Sequence, residues 1–188
     1  MVSLFRQRPG TGAVGAKLVY PDGSLQEAGG IIWQDASGWN FGRLEEPSKP
    51  AYNYVREVDY CSAAALMVER QVFANLGGFD SMYAPAYFED ADLCFRLRRI
   101  GLKTLYQPAA RVVHHEGMSH GRDTSVGIKS YQVANRAAFI SRGPVSSRTS
   151  TSAMATIFFV PATGPCTATL SWSSTITSRR PIAMPGRA

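Results

Sequence analysis

Residues 87–96 read Tyr-Phe-Glu-Asp-Ala-Asp-Leu-Cys-Phe-Arg and place three carboxylates within four positions. Acidic residues in a first turn and basic residues in a last turn favour a helix, because both complement the helix dipole. We therefore predict a helix that begins at Glu89 and ends at Gly101. Its apolar stripe comprises Leu93, Leu97 and Ile100. The carboxylates allow two interpretations: capping of the helix start, which spacing alone favours, or a general base beside a cleft.

Upstream of this helix, the chain alternates short β-type runs with turns. Residues 58–68 are nearly continuous in apolar and small side chains, which predicts a strand buried on both faces. A short helix over residues 70–76 is expected next, ended by the left-handed glycines Gly77 and Gly78. Nearer the N-terminus, the pattern predicts two strands and a loop, at residues 14–20, 29–33 and 35–49 respectively.

Downstream, we predict strands at residues 103–106 and 111–115 and a final helix over residues 127–140. Residues 142–188 are rich in Ser, Thr, Ala, Pro and Arg and contain no acid, a composition typical of disordered segments. Translated in another reading frame, part of this tail gives an amino-acid sequence that contains acids and has the apolar pattern of a strand. We therefore interpret residues 142–188 as the product of a reading-frame slip near residues 141–150.

All three histidines lie within seven positions, at His114, His115 and His120, with Glu116 between them. On a strand, His114 and His115 point to opposite faces, so the two do not easily bind one metal ion. A single imidazole ligand and a hydrogen-bonded structural histidine both remain open.

The net charge of +6 is unevenly distributed. All 14 acidic residues lie at or before Asp123, and the acid-free remainder carries the positive excess. Because no basic patch falls on a predicted folded element, we expect no nucleic-acid partner. The three cysteines form no evident framework, which favours a reducing cytoplasm. The apolar runs fall short of the roughly 20 residues needed for a membrane span.

Taken in order, these motifs resemble family 2 glycosyltransferases. The resemblance covers about residues 8–141, and the ordered set is more specific than any one motif. The motifs stand at residues 58–66, 77–80, 88–93, 101–103 and 113–119. The resemblance implies the α/β GT-A fold, a mixed sheet with flanking helices. It divides the chain into residues 1–141, the C-terminal catalytic and acceptor part of that domain, and the tail.

The resemblance also implies an inverting transfer of a sugar from a nucleotide-diphosphate donor to a hydroxyl of a saccharide or glycoconjugate. Asp90 corresponds to the catalytic base, which takes the proton from that hydroxyl. A Mg²⁺ or Mn²⁺ cofactor is implied, with His114 as a metal ligand. Acceptor-binding residues are expected at Glu89, Asp92, Cys61 and Ser62.

Two departures from the family pattern stand out. Ala63 occupies a position where the family often has glycine. The nucleoside-binding half with its Asp-rich metal motif should precede residue 14, and nothing like it is found there. We therefore expect the chain as written to be inactive alone. For the complete enzyme, we expect a cytoplasmic location, peripheral to the inner membrane through its acceptor.

Two other classes of function compete with this one. A metal-dependent hydrolase would use His114, His115, Glu116 and His120 together with the carboxylate cluster. It requires two or more histidines on one cation, which strand geometry disfavours. A non-catalytic remnant that only folds or associates with a partner is the second alternative.

Overall fold

The computed structural model describes residues 1–115 and 131–142, all within one compact unit. Of the predicted tail at residues 142–188, only Arg142 is described, and it forms ion pairs with Asp80 and Asp92. The helices are α1 (Val2–Gln7), α2 (Arg70–Asn75), α3 (Glu89–Arg99) and α4 (Tyr131–Ser141). The strands are β1 (Thr11–Val19), β2 (Leu25–Glu27), β3 (Gly30–Ile32), β4 (Gly38–Asn40), β5 (Arg56–Glu57), β6 (Leu66–Val68) and β7 (Lys103–Val113).

The main sheet is mixed and has β1 at its centre. β7 lies parallel to β1, and β5 pairs antiparallel with the other edge of β7. On its second side, β1 pairs antiparallel with β6 through Ala13–Gly15 and with β2 near its C-terminal end. All nine residues of β1 are buried. The described residues therefore form the mixed α/β arrangement expected from the sequence.

A second, two-stranded sheet is formed by β3 and β4. Gly30 makes an isolated bridge to Tyr60, and a Cβ at position 30 would lie 2.0 Å from the Tyr60 ring. Only glycine therefore lets the Tyr60 ring pack directly against this strand, and the hydroxyl of Tyr60 donates to Asn40 Oδ1 at 3.0 Å.

Helix α3 packs against both sheets. Leu93 and Leu97 are fully buried beside Ala13 of β1. Ala91 and Phe95 join a second cluster that includes Ile32 of β3, Tyr83 and Phe139 of α4. The first turn of α3 is thus fixed relative to β1, β3 and α4.

Local signals located most elements correctly. The helix from Glu89, its end at Gly101 (φ +82°) and the glycine stop after α2 are confirmed. The strand before the Tyr20–Gly23 turn is also confirmed. The predicted final helix is confirmed over Tyr131–Ser141, and residues 127–130 of that prediction lie outside the described part of the chain.

Other predictions were wrong. Residues 58–68 do not form one buried strand: a 3₁₀ turn at Ala63–Ala65 leads into β6, whose residues are partly exposed. Strand β4 falls in the predicted loop, and β2 was missed. The two strands predicted after α3 are one strand, β7, with a register shift against β1. Ile100 is 57% exposed, so it does not belong to the buried apolar stripe of α3 that was predicted to contain it.

In the described part of the chain, no helix combines the length and apolar character that a membrane crossing requires.

Candidate functional site

Asp90 lies in the first turn of α3 and is partly buried. Its Oδ2 accepts a hydrogen bond from the Ala63 amide at 3.1 Å. Its Oδ1 accepts from the Ala91 amide at 2.7 Å. Two backbone donors from separate parts of the chain therefore fix the orientation of this carboxylate.

The segment that leads into α3 has an uncommon backbone conformation. Tyr87 and Phe88 both have positive φ, at 78° and 73°, a region that residues other than glycine rarely occupy. The buried side chain of Asn135, on α4, donates to the carbonyls of Tyr83, Ala86 and Tyr87 at 2.9 to 3.0 Å. Asn135 thus holds the turn that presents Glu89 and Asp90.

Two buried acids anchor the body of α3. Asp59, on the segment before Tyr60, accepts from Arg98 at 2.9 Å and from the Ile32 amide at 3.0 Å. Asp92 is 2% exposed and accepts from Arg96 at 2.6 Å. The same guanidinium donates to two carbonyls in the turn that follows α2, at 2.7 Å each.

The most deeply buried carboxyl near Asp90 is Glu27, at the end of β2 and 1% exposed. Its Oε1 accepts from the Ser62 amide at 2.9 Å, whereas its Oε2 is buried and makes no hydrogen bond with the described residues. Sequence analysis missed Glu27. The local sequence gave little signal, since Glu27 lies between Gln26 and Ala28 in a segment without an apolar pattern.

The two carboxyl groups differ in their surroundings. Burial raises the pKa of Glu27 to about 8, and the nearby charge of Asp90 adds to this effect. Burial also raises the pKa of Asp90, but the amides of Ala63 and Ala91 oppose that shift by stabilising the anion. At neutral pH, Glu27 is therefore mainly protonated. Asp90, with two amide donors and some exposure, is the better candidate for an ionised base.

Glu89 precedes Asp90 at the same helix start and is partly buried, and its Oε2 is buried without a hydrogen-bond partner among the described residues. Burial, followed by the charge of Asp90, raises the pKa of Glu89. Ser62 caps the 3₁₀ turn through its hydroxyl, which accepts from the Ala64 amide at 3.3 Å. Cys61 is 1% exposed, with its sulfur 3.9 Å from the Leu105 carbonyl oxygen. The structure thus gathers Asp90, Glu89 and residues 61–63 in one region, with Cys61 and Asp92 facing inward.

His114 directly follows β7 and is partly buried. Its amide donates to the Val19 carbonyl at 2.9 Å, and its Nδ1 lies 3.1 Å from Gln26 Oε1. If Nδ1 carries the proton and donates to Gln26, Nε2 keeps a lone pair, the state a metal ligand needs. His115 is exposed, and Glu116 and His120 lie outside the described residues.

Two neighbouring residues of β2 connect to the two predicted site residues. Gln26 lies within hydrogen-bond distance of His114, and Glu27 accepts from Ser62, in the loop whose Ala63 amide donates to Asp90. A cleft shared by Asp90 and His114 stays a prediction. Among the residues that the structure describes, no group of three or more His, Cys, Asp or Glu side chains could hold a metal ion.

No protein-family profile matches the chain. The chain is 37% identical over 128 residues to the uncharacterized protein y4gI of Sinorhizobium fredii, a match that covers 65% of the chain and 14% of that protein. It is 34% identical over 122 residues to the O-antigen biosynthesis protein RfbC of Myxococcus xanthus, covering 62% of the chain and 10% of that protein. It is 33% identical over 130 residues to the N-acetylglucosaminyl-diphospho-decaprenol L-rhamnosyltransferase of Mycobacterium tuberculosis, covering 61% of the chain and 41% of that enzyme.

The chain therefore spans between 10% and 41% of the length of these relatives. Those with a named role act in O-antigen biosynthesis or as a rhamnosyltransferase. These similarities support a glycosyltransferase family for the chain.

Proposed function

We propose that this chain supplies the catalytic and acceptor-side part of an inverting family 2 glycosyltransferase with a GT-A fold. The observation that carries the proposal is the setting of Asp90, a carboxylate fixed at a helix start by two backbone amides. The relatives with named activities support the choice of glycosyl transfer over other reactions that use a general base.

In this reaction, Asp90 accepts the proton of the acceptor hydroxyl as its oxygen bonds to the anomeric carbon of the donor sugar. The bond from that carbon to the diphosphate breaks on the opposite face, and the nucleoside diphosphate leaves. A base in this role must lie within hydrogen-bond reach of the attacking oxygen. The amides of Ala63 and Ala91 prepare Asp90 for it, because they orient the carboxylate and favour its ionised form.

We further propose a Mg²⁺ or Mn²⁺ cofactor, which when bound would neutralise charge on the departing diphosphate. His114 fits as one ligand, because Gln26 can fix the tautomer that leaves Nε2 for the metal. The described residues offer this ligand but not a complete set.

For the acceptor, Glu89 and Ser62 are the better placed of the four predicted contacts, since Asp92 and Cys61 are buried. Contact of all four with the acceptor stays a prediction. We propose a cytoplasmic enzyme, peripheral to the inner membrane through its acceptor, with no nucleic-acid partner.

A chimera tests the function directly. The residues of this chain replace the matching segment of the mycobacterial rhamnosyltransferase, and transfer to N-acetylglucosaminyl-diphospho-decaprenol is measured with the anomeric configuration of the product. We expect transfer with inversion, and no transfer by the 188-residue chain alone. A cooperatively folded chimera that transfers with retention, or not at all, would contradict the proposal.

A further inference from the structure

Two carboxyl groups from distant elements bind consecutive amides of one loop. Glu27 of β2 accepts from the Ser62 amide at 2.9 Å, and Asp90 of α3 accepts from the Ala63 amide at 3.1 Å. Because these amides belong to neighbouring residues, the position of the Ser62–Ala63 backbone is tied to both carboxyl groups. A shift of one amide moves the other.

The start of this loop is fixed by core packing. Cys61 is buried so tightly against Gly15 that a Cβ at position 15 would lie 2.2 Å from the Cys61 Cβ. Tyr60 is held in the same way against Gly30. The chain therefore reaches Ser62 from a rigid point, and the next residues turn into the 3₁₀ segment at Ala63–Ala65. The direction of this turn decides where the Ala63 amide points.

Glu27 has a setting that an ordinary structural acid would not need. It is 1% exposed, and one of its two oxygens has no hydrogen-bond partner among the described residues. An apolar side chain would fill this place at lower cost, because a buried polar atom without a partner is destabilising. The contact that Glu27 does make is the one that orients the loop.

We propose that Glu27 is a positioning residue for Asp90, which acts through the Ser62–Ala63 backbone and directs the Ala63 amide at the Asp90 carboxylate. This inference rests on the proposed function for the role of Asp90 as a base, whereas the positioning itself is a property of the folded chain. By holding Ala63 in place, Glu27 keeps the donor that fixes Asp90 Oδ2 and favours the anion.

For this role, residue 27 needs an acceptor atom within hydrogen-bond distance of the Ser62 amide. Glutamine keeps the length and the carbonyl acceptor of glutamate. Aspartate keeps the carboxyl group but is one methylene shorter, so it should not reach the Ser62 amide. Glu27→Gln and Glu27→Asp therefore separate reach from charge. Glu57→Gln on β5 is the matched control, because Glu57 is not a partner of the Ser62–Ala63 loop.

The test is amide hydrogen exchange by NMR on the 188-residue chain, together with a titration of the Asp90 carboxyl carbon. In Glu27→Asp, we expect the Ser62 and Ala63 amides to exchange on the order of tenfold faster. We also expect the pKa of Asp90 to rise in this variant, because its anion loses a donor. In Glu27→Gln and Glu57→Gln, both amides should keep their protection and the pKa of Asp90 should not rise.

Parental protection of Ala63 in Glu27→Asp would overturn the proposal, and so would loss of protection in Glu27→Gln. Exchange of amides in α3 and β1 shows whether a variant is globally unfolded. If Glu27→Asp is unfolded, Glu27→Met replaces it, because methionine fills a similar volume and has no oxygen to accept from the Ser62 amide. Faster exchange of the Ser62 and Ala63 amides in a folded Glu27→Met supports positioning, and parental exchange overturns it. None of these readouts needs catalysis, so failure of the chimera to transfer sugar would refute the proposed function and leave this result standing.

Discussion

Asp90 and His114, the two residues with the sharpest predicted roles, are held in very different ways. Asp90 receives backbone donors from Ala63 and Ala91, and its helix is anchored by buried acids on two sides. The turn before it is held by Asn135. His114, directly after β7, makes one side-chain hydrogen bond with the described residues, to Gln26.

The difference suggests how each residue works. A base must meet the attacking oxygen with a fixed geometry, so support from several elements serves its function. A metal ligand can be drawn into place by the ion itself and needs mainly the correct tautomer. We therefore expect changes around Asp90 to alter the folded protein strongly, and changes at His114 to alter metal dependence with little effect on folding.

The largest effect on stability is expected from Glu27→Gln, and it should depend on pH. The pKa of Glu27 is about 8 in the folded protein against an ordinary value of 4.5. Between these values the unfolded chain has lost the proton and the folded chain keeps it, so the parent loses stability as pH rises. Glutamine does not ionise. The variant should therefore gain stability over the parent from about pH 4.5 upward, reaching roughly 3–5 kcal/mol near pH 8.

Urea unfolding at several pH values measures this difference. The Glu57→Gln variant controls for the loss of one acid at a more exposed position, away from the Ser62–Ala63 loop. A constant difference between Glu27→Gln and the parent from pH 4.5 to 8 would show that Glu27 ionises freely in the folded protein.

A smaller loss is expected from Asn135→Ala. The substitution leaves three carbonyls before α3 without their donor, which should cost about 1–3 kcal/mol in the free energy of unfolding. Gln132→Ala on the exposed face of α4 is the control and should change stability little. Equal unfolding midpoints for the two variants would mean that Asn135 does not hold the turn that presents Asp90.

The smallest structural effect is expected from His114→Ala. In the active chimera, this variant should raise the Mn²⁺ concentration for half-maximal transfer by about tenfold or more, with the unfolding midpoint little changed. His115→Ala, at the exposed neighbouring position, should leave the titration unchanged. An unaltered metal titration in His114→Ala would assign the residue a structural role.

Local sequence patterns were sufficient to predict some features of the fold and of the candidate site, and insufficient for others. The dipole pattern of α3 and the glycine that ends it are encoded within a dozen residues, so the start at Glu89 was predictable. The loop at residues 61–63 was read as strand, because its course is set by carboxyl groups from β2 and α3. Asn135 acts on carbonyls about fifty residues away, and no local pattern reveals such a contact.

We proposed that Asp90 is the base of a sugar transfer, and Asp90→Asn in the chimera separates this role from donor binding. Asparagine preserves the shape of the side chain and removes its basicity. We expect donor binding to be kept and the transfer rate to fall by about 10²–10⁴-fold, as removal of a general base usually causes. Transfer within about threefold of the parent rate would show that another group takes the proton.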